Sequence, residues 1–294
     1  MATIDRSDIE ALIVEGYSDV FLNTATESSA ALAAFNTRPM GTKTTRLPVI
    51  ASKPEARFVG EYSDAEGADN SGAVKPTSKV RWGSKSLVAE EIAVIVPIHE
   101  SLLEDATEDA LSQIVKEGGE AIAKTLDKAV LHGEDKPDTW TSNALEDAAN
   151  ASGQVLTVGE DAVDLFDAIS KADEALSDGG YNDPIVVARK GLQAKLRNQR
   201  DKNGAFLNAG DVLADYSPTF SKHVDPRVTA FIVDKESVAM GIRSDIRVKI
   251  LTEATVNGIN LAETDQVGVR FYARYAYVLK NDAAVFEIGT ALGS

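Results

Sequence analysis

Residues 90–133 read EEIAVIVPIHESLLEDATEDALSQIVKEGGEAIAKTLDKAVLHG, a β-branched run that meets a proline and then a long segment of helical periodicity. Ile92, Val94 and Val96 alternate with Ala93 and Ile95, so both faces of this strand can be apolar. Pro97, which has no N–H to give, is expected to end its ladder pairing. From Leu111 the apolar positions Leu111, Ile114, Val115, Gly118, Ile122, Leu126, Ala129 and Val130 fall on one helical face. Lys116, Glu117, Glu120, Lys124, Asp127 and Lys128 are assigned to the opposite, solvent face. Glu104, Asp105, Glu108 and Asp109 suit the positive start of a helix dipole, and His132 with Gly133 supply a stop. A helix from Ala110 to Leu131 would be about 33 Å long at about 1.5 Å per residue, which makes it a spine of the fold rather than a detail.

The chain has 294 residues, a length that suggests about two domains, and its 44% hydrophobic and 26% charged composition is that of an ordinary soluble protein. A formal charge of -16 argues against gripping nucleic acid through a basic surface, although it suits enclosing a polyanion without adhering to it. With no cysteine there is no disulfide framework, thiolate nucleophile or Cys-based zinc site. The start, MATIDRSDIEALIVEG, lacks the charged and apolar regions of a secretory signal, and no apolar run reaches membrane-spanning length. A cytosol-like compartment and no membrane partner are the expectation.

Upstream of the spine, Ile9, Leu12, Ile13, Tyr17, Val20 and Phe21 form a helical stripe within Ile4–Leu22, and a shorter one runs from Ala30 to Phe35. So few apolar residues per turn, so far from a strand pattern, suggest arms that bury their faces on another chain. Glu55–Glu61 and Lys79–Val88 read as strands joined by the polar YSDAEGADNSGAVKPTS, a projecting hairpin whose tip is either a loose surface loop or an interaction arm. Downstream, EDKPDTWTSNALEDAANASGQ shows little periodicity and reads as a boundary. Asp161–Leu176 is a helix ended by Gly179-Gly180, Pro184–Val187 a short strand, and Arg189–Arg200 a basic helix with Leu192 and Leu196 inward. Thr229–Val233, Ser237–Met240 and Arg247–Leu251 are strands. In Val267–Val278 a strict period of two places Val267, Val269, Phe271, Ala273, Tyr275 and Tyr277 on one face and Arg270, Tyr272 and Arg274 on the other.

No set of residues assembles into a catalytic motif. His99, His132 and His223 lack a second ligand type at metal-site spacing, and Gly67–Gly72 is followed by Ala73-Val74 where a phosphate loop needs Lys-Ser/Thr. No nucleophile elbow or dinucleotide turn is present. The sequence therefore gives no catalytic, cofactor-binding or metal residues, and it favours a structural protein over an enzyme.

The order of these elements resembles a known family. A helical arm, a polar-tipped hairpin leading into EEIAVIVPIHESLLEDA, a long helix ending AIAKTLDKAVLHG, a mixed block with ARKGLQAKLRNQRDKNG and the closing GVRFYARYAYVLKNDAAVFEI look like the major capsid protein of tailed double-stranded DNA bacteriophages, with its Hong Kong 97-like α+β fold. The resemblance implies an N-arm over residues 1–50, an extended E-loop over 51–88, a peripheral P-domain from 89–149 and 256–294 that holds the spine helix, and an axial A-domain over 150–255. It further implies pentamers and hexamers of an icosahedral shell enclosing double-stranded DNA, with scaffolding, portal and decoration proteins as partners and no cofactor. Many relatives carry an N-terminal scaffolding segment that a protease removes; the resemblance leaves two expectations here, a separate scaffold protein, which the initiating Met1 favours, or a processed form of the chain. Some relatives cross-link an E-loop Lys to a P-domain Asn, roles for which Lys75, Lys79 or Lys85 and Asn281 are available, but no local motif matches that chemistry and a noncovalent shell is expected.

Candidate intersubunit contacts are Arg57, Glu61, Glu66, Lys79, Arg81 and Trp82 of the hairpin, Arg197 and Arg200 of the basic helix, and Arg270 and Arg274 of the last long strand. Arg57, Arg81, Arg270 and Arg274 alternate with apolar residues and could meet Glu61 and Glu66 of a neighbour; solvated strand faces are the competing reading. The basic helix is read as pairing with acidic neighbours around a symmetry axis rather than touching DNA. Two other functions stay open: a nanocompartment shell of the encapsulin type with the same fold, and a soluble α/β enzyme.

Overall fold

The computed structural model describes residues 28–52, 81–99, 108–159, 161, 164–198, 213, 216, 218–243, 247–251, 254–256 and 258–290. The Ile4–Leu22 stripe and the Glu55–Glu61 strand lie outside these residues. The chain divides into two compact units, Arg46–Ser86 and the remainder, and the smaller holds most of a two-stranded ribbon made by β2 and β3. In chain order the elements are α1 (Ala30–Ala34), β1 (Asn36–Met40), β2 (Thr44–Ser52), β3 (Arg81–Val88), β4 (Glu90–His99), α2 (Glu108–Leu131), α3 (Leu145–Ser152), β5 (Val155–Val158), α4 (Leu165–Asp178), β6 (Pro184–Ala188), α5 (Gly191–Arg197) and β7 (Thr219–Phe220). They continue with β8 (Val228–Asp234), β9 (Val238–Arg243), β10 (Arg247–Leu251), β11 (Thr255–Val256), β12 (Ile259–Asn260), β13 (Gln266–Leu279) and β14 (Val285–Thr290). The class is mixed α+β, as the sequence implies.

Two sheets organise the larger unit. In the first, β13 is central: Tyr275 is paired with Glu90 of β4 on one side and with Ile242 of β9 on the other, so β4 takes one edge while β9 and β10 follow each other along the opposite edge. β1 adds in parallel to β9. The inward residues Ile92, Val94, Val96, Val269, Phe271, Ala273, Tyr275 and Tyr277 face α2 in the main core. The second sheet, in the order β5-β14-β8-β6-β7, is buried on both faces. Ile185, Val187, Phe231, Val233 and Val285 point into the main core, while Val186, Ala188, Ala230, Ile232, Phe286 and Ile288 pack under α4 and α5 in a second one. Burial on both sides is why β8 reads as the near-continuous apolar run VTAFIVD.

The spine α2 is 24 residues long, close to the expected length, and Gly118 lets it approach β13. A Cβ at Gly118 would lie 2.8 Å from the Phe271 ring.

Several expectations are corrected. β4 does not stop at Pro97: its ladder runs on to His99, with Pro97 opposite Gly268, because β4 is an edge strand where a missing N–H can face outward. Its faces are also unequal, with Ile95 37% exposed. Asp127 is not on the solvent face of the spine but fully buried. The Ala30–Phe35 stripe is buried in the core of its own chain, with Ser29 as N-cap, so this part of the arm needs no other subunit. The stretch read as a boundary is packed: Trp140, Leu145, Ala148 and Ala149 are core residues, and Trp140 Nε1 donates to Val88 O at 2.9 Å while its ring lies 5.8 Å from Tyr277. β2 and β5 carried no signal strong enough to be read as strands.

Candidate subunit-contact site

Strand alternation places Glu91, Ala93, Ile95 and Pro97 of β4 on the side of the first sheet away from α2, together with Arg270, Tyr272 and Arg274 of β13. Lys249 of β10 stands opposite Arg270 in the ladder and is exposed. One carboxylate serves both arginines. Arg270 Nη2 donates to Glu91 Oε1 at 2.7 Å, and Arg274 donates to Glu91 Oε2 from Nη2 at 3.1 Å and from Nε at 3.2 Å. Arg270 also lies 4.8 Å from the Tyr272 ring centroid, within cation–π reach. Glu91, Arg270 and Arg274 keep 33%, 36% and 30% of their side-chain surface exposed, so water screens these pairs and they add little to the stability of the single chain. Their effect is to hold two guanidinium groups in place on a face where, among the described residues, cations outnumber carboxylates. With Ile95 beside them, the face is positive and partly apolar, and the described residues of one copy leave it exposed.

A second cluster is buried and fixes where the N-terminal segment leaves the body. Asp127 on α2 accepts from Ser29 Oγ at 2.7 Å, from Ala30 N at 3.0 Å, from Ala31 N at 3.1 Å, from Ser221 Oγ at 3.1 Å, and pairs with His223 Nδ1 at 2.9 Å. It thus caps the free N–H groups at the start of α1 and ties them to the loop after β7. Ser, His and Asp meet here, yet both hydroxyls donate to the carboxylate and not to the imidazole, so this is not the geometry of an activated nucleophile.

A third cluster sits at the end of the spine. His132 Nδ1 lies 2.5 Å from Glu146 Oε2, and Asp225 N donates to His132 Nε2 at 3.0 Å, so the ring bridges α3 and the loop before β8. Arg227 holds the Asp225 carboxyl below its ordinary range through a side-chain hydrogen bond, helped by its own backbone N–H. Glu287 on β14 is 8% exposed, and burial, with Glu146 nearby, pushes its carboxyl up to about 7. Burial likewise raises the Tyr275 phenol to about 12 and the Tyr277 phenol further still. Among the described residues no group of three or more His, Asp or Glu is arranged to hold a metal ion, and no helix is long and apolar enough to cross a membrane.

Of the residues singled out from sequence, the structure brings together Arg270 and Arg274, through a partner the sequence reading missed, Glu91 of the same chain. Arg197 is exposed at the end of α5. Arg81 and Trp82 open β3, where only the backbone is described. Arg57, Glu61, Glu66, Lys79 and Arg200 lie outside the described residues, as does Lys75. Asn281 caps the turn before β14, its Oδ1 accepting from Ala283 N at 3.2 Å and its Nδ2 donating to Tyr181 OH at 2.5 Å. The sequence did hold a signal for Asp127: Ala123, Asp127 and Leu131 recur every fourth residue beside the Ile122, Leu126 and Val130 row, which widens the buried stripe.

A long spine helix against a sheet built on one central strand, joined to a second sheet covered by helices, is the Hong Kong 97-like arrangement found in phage capsid proteins. The chain belongs to the phage capsid family, whose model matches residues 11–288. Similar solved chains come from Mycobacterium phage Adephagia, 38% identical with a TM-score of 0.79, and Mycobacterium phage Bobi, 39% identical with a TM-score of 0.76, each covering 100% of both chains. One from Microbacterium phage Oxtober96 is 32% identical, covers 98% of this chain and 100% of its own, and has a TM-score of 0.76. The fold is shared at 15% identity and a TM-score of 0.64 with a chain titled as the capsid of a native GTA particle, over 90% of this chain and 91% of that one. No curated protein matches the sequence.

Proposed function

We propose that this phage capsid protein is the major, non-enzymatic building block of an icosahedral head, assembling as pentamers and hexamers around double-stranded DNA. The observation that carries this reading is the face of Glu91, Ile95, Lys249, Arg270 and Arg274, which the described residues leave exposed and which is positive on a chain of charge -16. The segment 61–69, EYSDAEGAD, carries Glu61, Asp64, Glu66 and Asp69, the complementary sign. In this reading residues 51–88 are the E-loop of one copy reaching the P-domain face of the next, and many weak contacts multiply into a stable shell. Residues 1–50 are the arm, 89–149 with 256–294 the P-domain, and 150–255 the A-domain, whose Arg197 and Arg200 meet acidic neighbours around the axis. Scaffolding, portal and decoration proteins complete the partner set, assembly takes place in the host cytoplasm, and the net negative charge keeps packaged DNA from adhering.

Electron microscopy of the purified protein tests this. Closed shells are expected from the natural sequence and none from the Arg270→Glu, Arg274→Glu double variant, whose circular dichroism stays native. Adding Glu61→Arg and Glu66→Arg restores shells. Normal shells from the double variant would refute the assignment of this face, and a small homogeneous particle from the natural chain would refute the function.

A further inference from the structure

Glu287 stands on the main-core side of the second sheet, in line with Val285 of its own strand and opposite Phe231 of β8 and Val155 of β5. Its Oε2 meets no hydrogen-bond donor among the described residues, although the residue is only 8% exposed. Backbone movement cannot bring it to water, because β14 is paired on both edges and the Glu287 N–H donates to Gln154 O at 3.0 Å. The element laid against this strand is α3. That helix is eight residues long, is anchored by Leu145, Ala148 and Ala149, and has no side-chain cap at its start.

The charged groups around this seam come from three elements. α3 brings Glu146 and Asp147 in its first turn, the end of the spine brings His132 and Glu134, and the loop before β8 brings Asp225 and Arg227. Glu146 Oε2 lies 2.5 Å from His132 Nδ1, and Glu134 pairs with Lys128. Arg227, a cation whose charge reaches Glu287, is held by Asp225 through Nε at 3.1 Å and Nη2 at 3.3 Å. An ionised Glu287 would therefore face the Glu146 carboxylate inside the core with no hydrogen bond to its Oε2 and with Arg227 already engaged. The neutral acid costs far less to bury.

We propose that Glu287 and α3 form a proton-operated latch: α3 lies closed on β14 while Glu287 keeps its proton, and when that proton leaves to solvent α3 lifts so that water reaches the carboxylate. Burial first and Glu146 second push this carboxyl from 4.5 up to about 7, so the closed seam is fully favoured below about pH 4.5 and is weakened as pH rises through about 7. α3 spans the border between residues 89–149 and 150–255, so the latch governs how firmly those two parts of the chain are joined. The inference goes beyond the shell assignment and rests on the single chain alone.

Hydrogen exchange followed by mass spectrometry on the full-length unassembled chain, with rates corrected for the intrinsic effect of pH on amide exchange, tests the latch. Opening of α3 should rise by up to about 30-fold between about pH 5.5 and about pH 8.5, the ratio given by a carboxyl of about 7 when closed and 4.5 when open. Glu287→Gln, which keeps the shape and cannot ionise, should leave α3 equally closed at both ends, and Glu146→Gln should move the midpoint of the rise to lower pH. The same rise in natural and Glu287→Gln chains, no rise in the natural chain, or α3 exchanging only together with the slowest amides of β8, which marks global unfolding, would each overturn the proposal. Carboxyl NMR of the natural chain needs no variant: one glutamate titrating at about 7 is expected, and every glutamate titrating within about one unit of 4.5 would overturn it as well.

Discussion

Asp127→Asn is the sharpest test of how the fold is held together. The side chain keeps its shape, but one of its two oxygens becomes an NH2 donor inside a site that supplies only donors. If the NH2 replaces Oδ2, Ser221 can rotate its hydroxyl and His223 can present an unprotonated nitrogen, but the Ala30 N–H cannot adapt. If it replaces Oδ1, Ser29 can rotate and the Ala31 N–H cannot. Either way a buried N–H of α1 is orphaned, which costs about 1–3 kcal/mol, and the remaining bonds lose their charge assistance. The orphaned donor and the weakening of the remaining charge-assisted hydrogen bonds should together cost about 3–5 kcal/mol, a large share of the roughly 5–15 kcal/mol that stabilises a domain. Ser29→Ala, which deletes one of these bonds and the N-cap, should cost about 1 kcal/mol. Urea unfolding of the unassembled subunit measures both as a fall in midpoint at constant slope. An Asp127→Asn variant within about 1 kcal/mol of the natural chain would refute the claim that this carboxylate organises the cluster.

Gly118→Ala sets helix propensity, which favours Ala by about 1 kcal/mol, against a Cβ placed 2.8 Å from a fully buried Phe271 ring. Overpacking of about 1–3 kcal/mol should win, so thermal unfolding should show net destabilisation, and a gain in Tm would show that the ring can yield. Glu287 has its carboxyl raised from 4.5 to about 7, so the folded chain keeps a proton that the unfolded chain releases across that window. Stability from this group therefore falls as pH rises from about 4.5 through 7 and levels off above it. Glu287→Gln should flatten the slope and stabilise the chain at about pH 8 by on the order of 3 kcal/mol at most; an unchanged slope between natural and variant chains would count against it.

The sequence alone determined the elements whose periodicity is long: the spine from its apolar spacing over six turns, β13 from its strict alternation, and the helix stop at Gly179-Gly180. It also determined which strand residues turn outward, because a period of two assigns Arg270 and Arg274 to one face before any partner is known. Only the tertiary structure decided what those faces meet. Glu91 lies 179 and 183 positions from the two arginines it serves, and Asp127 is 96 to 98 positions from the α1 residues and His223 that it binds, so no local pattern announces either contact. A charged residue on an amphipathic helix reads as solvent-facing until donors from elsewhere in the chain surround it. In the same way Pro97 reads as a strand end until its strand is seen to lie at an edge. Local spacing fixes direction, and burial is decided by which distant segments arrive to offset the cost of losing water.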